Sequence, residues 1–140
     1  MREILFKAKR KDNGEWVEGY LFDDGMPKPK CYFIGGIIVK PYEGTTCDEW
    51  NVVGIDFYEI DPDTICQYTG LTDINNQEIY ENDIVKLPDE DGYFKCEWNE
   101  DTARFVLNGD GLTVDFDNYY GYECEVVGNI FDDSDLLEVE

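Results

Sequence analysis

Apolar residues recur at every second position in short runs along this chain, and turn-forming residues separate the runs. Ile4, Phe6 and Ala8 form one such series near the start, and Leu112 and Val114 form another. A period of two is typical of β-strands that bury one face, whereas helices repeat every 3.6 residues. No stretch shows a helical period of ordinary length. The pattern therefore predicts a mainly β fold with little helix.

The first half of the chain reads as an N-terminal hairpin followed by further strands. Asp12-Asn13-Gly14 lies between two alternating runs, and Asn and Gly tolerate the positive φ of a tight hairpin turn. Gly35-Gly36 interrupts an apolar run, which predicts a bulge or bend there. The predicted strands are 3–9, 16–22, 31–39 and 52–60, with polar, turn-rich residues at 40–51.

The second half has shorter runs and tighter turns. Strands of this length suggest an SH3-like small barrel or a strongly bent sheet, packed with the N-terminal strands. A helical turn is predicted at 134–139. The predicted strands are 84–87, 93–98, 104–107, 112–116 and 122–131. We expect a single domain over 1–140, with an N-terminal β part at 1–65, a connector at 66–83 and the small barrel at 84–140.

The chain is strongly acidic, with 33 acidic and 11 basic residues and a formal net charge of −22. Residues 71–140 hold 20 of the acids and three of the bases, so most of the charge lies there. Binding to nucleic acid or to an anionic membrane needs clustered Lys and Arg. The short basic run at 7–11 is a weak match, so we predict neither. A basic protein is the expected partner, and the most exposed candidate contacts lie in predicted turns: Asp89, Glu90, Asp91, Glu100 and Asp101.

The chain has five Cys and no His. No C-x-x-C pair is present, so the sequence does not match the usual spacing of zinc ligands. Cys96 and Cys124 lie in alternating runs, which favours reduced, buried thiols. Residues 1–11 are charged and lack the apolar core of a signal peptide, and no apolar run reaches the length of a membrane span. We expect a protein of the reducing cytoplasm.

One segment, CQYTGLTDINNQEIYENDIVK at 66–86, raises the question of a metal or catalytic site; we call it the signature segment. Asp73, Asn75 and Gln77 alternate like the oxygen ligands of a calcium loop. A calcium loop of the EF-hand type needs Gly at its sixth position and Glu at its twelfth, where this chain has Glu78 and Ile84. The sequence therefore predicts no metal and no cofactor.

Catalysis by a carboxylate pair, such as Glu78 and Asp83, is the other chemical interpretation. Nothing selects this pair among 33 acids, and no nucleophile motif is present. A structural role explains more residues of the signature segment, with turns predicted at 75–76 and 81–83. We expect Ile79 to be buried and Asp83 to accept hydrogen bonds from backbone amides. No catalytic residue is predicted.

The signature segment resembles that of the YopX family, through QYTGLTD at 67–73 and EIYENDIV at 78–85. The resemblance extends to REILFKA at 2–8, WVEGYL at 16–21 and EVVGNIF at 125–131. Two positions depart, because Asn76 and Asn82 stand where Gly is expected, although Asn can also adopt positive φ. The matching motif residues are Thr69, Gly70, Leu71, Asp73, Glu78, Ile79, Tyr80 and Asp83.

The resemblance implies a β-rich fold, an origin in phages or prophages, mostly of Gram-positive bacteria, and homo-oligomerisation. It implies no reaction. We therefore expect a phage accessory protein that acts in the host cytoplasm as a non-enzymatic protein-interaction module. One alternative is a nucleic-acid mimic, an acidic decoy that binds a basic host protein. A second, weaker alternative is a metal-dependent carboxylate enzyme.

Overall fold

A computed structural model of the chain describes residues 3–28, 30–41, 50–88, 90–109, 111–115 and 123–137. The chain divides into two compact units. Leu5–Ile65 form the N-terminal unit, and Cys66–Glu140 together with Met1–Ile4 form the C-terminal unit. Within the described residues, regular structure in both units is mostly antiparallel β-sheet, with two short 3-10 turns, so the predicted mainly β fold with little helix is confirmed. The described residues include no helix with the length and hydrophobicity of a bilayer-crossing segment.

The N-terminal unit contains four antiparallel strands that lie side by side in chain order. The predicted hairpin is confirmed, since the first two strands pair from Phe6↔Gly19 to Lys9↔Trp16 and Gly14 takes a φ of 73° in the turn. A 3-10 turn at Pro62–Thr64 follows the last strand. The strands are β1 (Phe6–Lys9), β2 (Trp16–Asp23), β3 (Tyr32–Pro41) and β4 (Trp50–Ile60).

Hydrogen bonds also join β1 to the end of β4, so the four strands close on themselves at one end. Arg10 bridges Ile60, the Lys11 amide donates to the Glu59 carbonyl at 3.1 Å, and the Asp61 amide donates to the Lys9 carbonyl at 2.8 Å. The sheet therefore has an inner and an outer face. The inner face holds the core of the unit: Ala8, Ile34 and Ile60, with Phe6, Val17, Leu21, Tyr32 and Ile65 packed against it.

The bulge predicted as one alternative at Gly35-Gly36 is wrong, and the other alternative, a bend, stays a prediction. β3 and β4 stay in register through Gly35↔Phe57 and Gly36↔Asp56, and the register shifts only between Ile38 and Val39. Gly35 is instead a point of close approach, because a Cβ there would collide with the Asp56 carbonyl oxygen and lie 2.6 Å from Cα of Phe57. Both strands also extend beyond the predicted limits of 39 and 52, to Pro41 and from Trp50.

The C-terminal unit consists of a hairpin and a five-stranded antiparallel sheet. The segment predicted as a connector, 66–83, itself forms this hairpin of β5 (Cys66–Thr72) and β6 (Glu78–Tyr80). The sheet has the order β10-β9-β8-β7-β11, and SH3-like closure stays a prediction. Its strands are β7 (Asp83–Lys86), β8 (Phe94–Asn99), β9 (Arg104–Gly109), β10 (Leu112–Asp115) and β11 (Glu125–Asn129).

The core of the C-terminal unit contains residues from the hairpin, the sheet and the segment before β11. It consists of Ile79, Val85, Leu87, Phe94, Cys96, Phe105, Leu107 and Cys124, with Leu71, Val114 and Val126 packed against it. The predicted helical turn near the end is confirmed as a 3-10 turn at Ser134–Leu137, in which Leu136 and Leu137 are half-buried.

Candidate functional site

Asp73 is a carboxylate of the signature segment that accepts three backbone amides. Its Oδ1 accepts the backbone amides of Asn75 at 2.9 Å and Gln77 at 2.8 Å. Its Oδ2 accepts the backbone amide of Val126 at 2.9 Å, from a strand 53 residues away in sequence. The side chain is almost completely buried. Both oxygens are therefore used to hold the turn and β11 together.

Further backbone bonds join the signature segment to the end of the chain. The Ile74 amide donates to the Cys124 carbonyl at 2.9 Å, and the Ile130 amide donates to the Asn82 carbonyl at 3.0 Å. The Asn82 amide in turn donates to the Cys96 carbonyl at 2.7 Å. The signature segment and the end of the chain, which each resemble the same family, are therefore in direct contact in the fold.

The second turn of the signature segment confirms the role expected of Asp83. Its Oδ2 accepts the Tyr80 amide at 2.9 Å, and the carboxylate is buried. Glu78 accepts a different bond, from the Tyr80 hydroxyl at 2.9 Å. Asn76 and Asn82 have φ of 62° and 70°, as the turns require. The two carboxylates are therefore bonded to Tyr80 in separate ways.

The remaining motif residues also have structural contacts. The Thr69 hydroxyl donates to the Ile79 carbonyl at 2.7 Å and accepts the Leu71 amide at 3.2 Å. Gly70 adopts a φ of 90°, which favours glycine. Ile79 is fully buried, as predicted. Within the described residues, no three Cys, Asp or Glu side chains come together as metal ligands would.

The described cysteines carry no disulfide. Cys66, Cys96 and Cys124 are buried free thiols, as predicted for the last two, and Cys31 is half-buried. Burial raises the pKa of Cys124 to about 11, with a smaller contribution from Asp73. Burial, then the charge of Asp83, raises the pKa of Cys96 well above its usual value. Because the thiolate is the nucleophile and the metal ligand, such thiols are inert near neutral pH.

The predicted partner-binding acids do not lie together. Glu90 and Asp91 precede β8, whereas Glu100 and Asp101 follow it, and all four are exposed. The six residues of β8 separate the two turns by about 20 Å, at about 3.3 Å per residue. Asp89 lies outside the described residues. The set is therefore two acidic turns at opposite ends of one strand.

The outer face of the N-terminal unit carries a cluster of aromatic side chains, Tyr20, Phe22, Phe33 and Phe57, which we call the aromatic surface. The strand register places them on one face, through Phe22↔Phe33, Tyr20↔Gly35 and Gly35↔Phe57. The ring centroids of Phe22, Phe33 and Phe57 lie 5.4–5.7 Å apart. Tyr20 is 67 % exposed, Phe57 45 % and Phe22 39 %.

Large apolar side chains grouped on the surface of a domain mark interaction sites more often than scattered ones. The sequence pattern does not reveal this surface. Leu21 and Phe22 lie on opposite faces of β2 and both are apolar. The alternation of residues therefore does not indicate which face of the strand is buried. The excess of aromatic residues at 20–22 and 57–58 was the available indication.

The same unit also has a groove of about 410 Å³. Val17 and Ile34 supply apolar contacts, Glu18 and Asp56 supply carboxylates, and Tyr58 supplies an aromatic ring; Gly35 and Gly36 complete the lining. The Arg10 guanidinium stacks over the Tyr58 ring, 4.0 Å from its centroid, and forms an ion pair with Asp12. The groove therefore combines apolar walls with negative charge.

The basic run near the start of the chain lies against aromatic rings. The Lys7 and Lys9 ammonium groups lie 4.9 Å and 5.5 Å from the centroid of the Trp16 ring. Lys11 forms an ion pair with Glu59 at 3.0 Å. These cations therefore contact side chains of their own unit.

Two comparisons find known proteins that this chain resembles, and a third finds none. A family model described as "YopX protein" matches residues 5–138. The crystal structure of protein EF1440 from Enterococcus faecalis matches with a TM-score of 0.63 and 23% sequence identity, covering 99% of this chain and 100% of that one. At this identity the match establishes the fold alone. No curated protein matches the chain.

Proposed function

The chain belongs to the YopX family, and we propose that it is a non-enzymatic protein-interaction module. We propose further that it is an accessory protein of phage or prophage origin that acts in the cytoplasm of a bacterial host. Its partner is a basic host or phage protein. The observation that supports an interaction role most directly is the aromatic surface of the N-terminal unit.

The geometry of the aromatic surface suits a protein contact. Phe22, Phe33 and Phe57 pack against one another, one pair stacked and two edge to face, so their rotamers are restricted before a partner arrives. Less side-chain entropy is then lost on binding. Buried aromatic residues also contribute a large share of the binding energy in protein interfaces.

The net charge of −22 favours a positively charged partner. Oppositely charged surfaces accelerate encounter and discriminate between partners. A partner that offers apolar side chains surrounded by Lys and Arg would match both the aromatic surface and the acidic chain. The structural use of Asp73 and Asp83 supports a binding role over a carboxylate enzyme, since both side chains accept backbone amides.

A capture experiment tests this proposal. Tagged protein is incubated with bacterial lysate, and bound proteins are quantified by mass spectrometry for wild type, for the double variant Phe22→Ser/Phe57→Ser and for Leu112→Ser. Leu112 is 41 % exposed and lies in the C-terminal unit, so it is a matched apolar control. We expect the double variant to retain less than a tenth of the captured basic protein and the control to retain nearly all of it.

Equal capture by all three proteins would contradict the proposal. Size-exclusion chromatography of the same proteins tests whether a second copy of the chain binds the aromatic surface instead. A wild-type dimer that becomes a monomer in the double variant would show that the aromatic surface forms a homo-oligomer interface.

Exposed carboxylates in the two acidic turns favour nucleic-acid mimicry as a second candidate. A mimic would occupy the DNA-binding groove of its partner, so DNA would compete for binding. Neutralising Asp89, Glu90 and Asp91 should then slow association, by an amount that decreases as salt is added. The pair Glu100→Gln/Asp101→Asn tests the acidic turn at the other end of β8 in the same way. An unchanged association rate for both variants would remove this candidate.

A further inference from the structure

We propose that the groove of the N-terminal unit binds the side chain of an arginine presented by the partner. This inference rests on the proposed function, because it names the group of the basic partner that is recognised. The residues that form the site are Val17, Glu18, Ile34, Gly36, Asp56 and Tyr58.

The groove has room for one long side chain. Its volume is about 410 Å³, and Val17 and Ile34 are the aliphatic residues of its lining. Ile34 is part of the buried core, so packing fixes its position. Arginine buries its methylene groups against apolar surface while its charged end stays polar. Gly35 and Gly36 line the groove without side chains, which leaves space in it.

Charge selects a cation for this space. Glu18 and Asp56 are the two carboxylates of the groove, and no basic residue is among its described lining. Asp56 is exposed and takes part in none of the ion pairs among the described residues. Guanidinium donates two parallel hydrogen bonds to a carboxylate, which gives a stronger and more directional contact than a single ammonium bond.

The Tyr58 ring favours arginine over lysine. Planar guanidinium groups stack on aromatic faces, and the ring already shows this geometry with Arg10, whose carbon lies 4.0 Å from the ring centroid. The charge of Arg10 is balanced by Asp12 at 2.6 Å, which limits repulsion of a second cation. A divalent metal is a poorer fit, since calcium takes six to eight oxygen ligands and two carboxylates line the described groove.

The test uses N-acetyl-arginine amide as the probe, titrated into ¹⁵N-labelled full-length protein and followed by NMR. The matched control probe is N-acetyl-citrulline amide, which has nearly the same shape but no charge. We expect saturable shifts confined to amides around Glu18, Gly36 and Asp56, and at least tenfold weaker binding of citrulline. Equal binding of the two probes would overturn the proposal.

Two variants test the location of the site. Asp56→Asn should weaken arginine binding at least fivefold, whereas the control Asp63→Asn, which removes an exposed acid outside the groove, should not. Gly36→Leu should abolish binding by filling the groove. A Cβ at Gly36 meets only the Tyr20 ring, at 3.8 Å, so we expect this variant to fold, and its NMR spectrum checks this.

Shifts spread over the acidic turns with a common midpoint, or binding that Asp56→Asn leaves unchanged, would show general charge attraction and overturn the site. That result would leave the proposed function standing if Phe22 and Phe57 are still needed for capture of the partner. If the arginine titration gives the expected result but the Phe22→Ser/Phe57→Ser variant captures the partner as well as wild type, the proposed function fails and the arginine site stands.

Discussion

At the scale of single residues, Asp73 and Asp83 are buried carboxylates that accept backbone amides. Oδ2 of Asp83 accepts the Tyr80 amide, and the side-chain oxygen of Asn can accept this bond as well. We expect Asp83→Ala to lower the free energy of unfolding by about 1 kcal/mol, as loss of a side-chain cap does, and Asp83→Asn to lower it by less. Urea denaturation measures both. A variant with Asn as damaging as Ala would point to a role for the charge.

In Asp73, both oxygens accept backbone amides. In Asp73→Asn, one oxygen becomes an NH₂ group, which cannot accept and leaves a backbone amide without its partner. We expect a loss of about 2 kcal/mol for Asn and about 3–5 kcal/mol for Ala, since hydrogen bonds to charged acceptors contribute about 1.5–3 kcal/mol each. An Asp73→Asn variant as stable as wild type would contradict this assignment.

The Cys124 thiol gives the fold a dependence on alkaline pH. Burial raises its pKa to about 11, so the folded protein keeps the proton that an unfolded thiol loses near pH 8.5. The unfolded state then binds fewer protons, and this contribution to stability is lost as pH rises from about 8.5 to about 11. The loss is at most about 3 kcal/mol. Denaturation of wild type and Cys124→Ala from pH 8 to 10.5 should show a shallower decline for the variant, and parallel declines would contradict it.

Local contacts were predictable from the sequence at this scale, and distant ones were not. The bond from Tyr80 to Asp83 spans three residues, so turn chemistry indicated it. The positive φ of Asn76 and Asn82 followed in the same way. The bond from Val126 to Asp73 spans 53 residues, and nothing in either segment specifies that partner. Such a contact is set by tertiary packing.

At the scale of elements, neighbouring glycines in β3 have different roles. A Cβ at Gly35 would collide with the β4 backbone, whereas one at Gly36 meets only a side chain at 3.8 Å. We expect Gly35→Ala to cost about 2–3 kcal/mol, in the range of overpacked sites, and Gly36→Ala to be neutral or slightly stabilising. Thermal melts of the two variants compare them directly. Equal melting temperatures would show that β3 and β4 can separate locally.

Alternation and turn residues identified most strands, because both arise from short-range backbone preferences. The hairpin at Asp12–Gly14 is one result. The bulge predicted at Gly35-Gly36 is not observed. A glycine in a strand can mark either a bulge or a close approach of another backbone, and the sequence does not distinguish the two. The aromatic surface was missed because Leu21 and Phe22 are both apolar. Which of them faces the core depends on how the four strands close.

At the scale of the whole molecule, the net charge of −22 should lower stability through repulsion. Two bases of the C-terminal unit compensate locally, as Lys95 pairs with Glu97 at 3.5 Å and Arg104 with Asp115 at 2.9 Å. Exposed pairs contribute little, so most of the repulsion should persist. Raising NaCl from about 0.01 M to about 0.15 M shortens the screening length from about 30 Å to about 8 Å. The melting temperature should rise, and a flat or falling curve would contradict this.

We propose that the signature segment builds the fold, whereas the aromatic surface of the N-terminal unit binds the partner. To separate these two roles, the Kd for the captured partner is measured with Asp73→Asn and with Phe22→Ser/Phe57→Ser, at a temperature where both are folded by NMR. Asp73→Asn should be less stable yet bind within twofold of wild type, and the double variant should bind at least tenfold more weakly. A folded Asp73→Asn variant that has lost binding, beside a double variant that binds normally, would contradict the account.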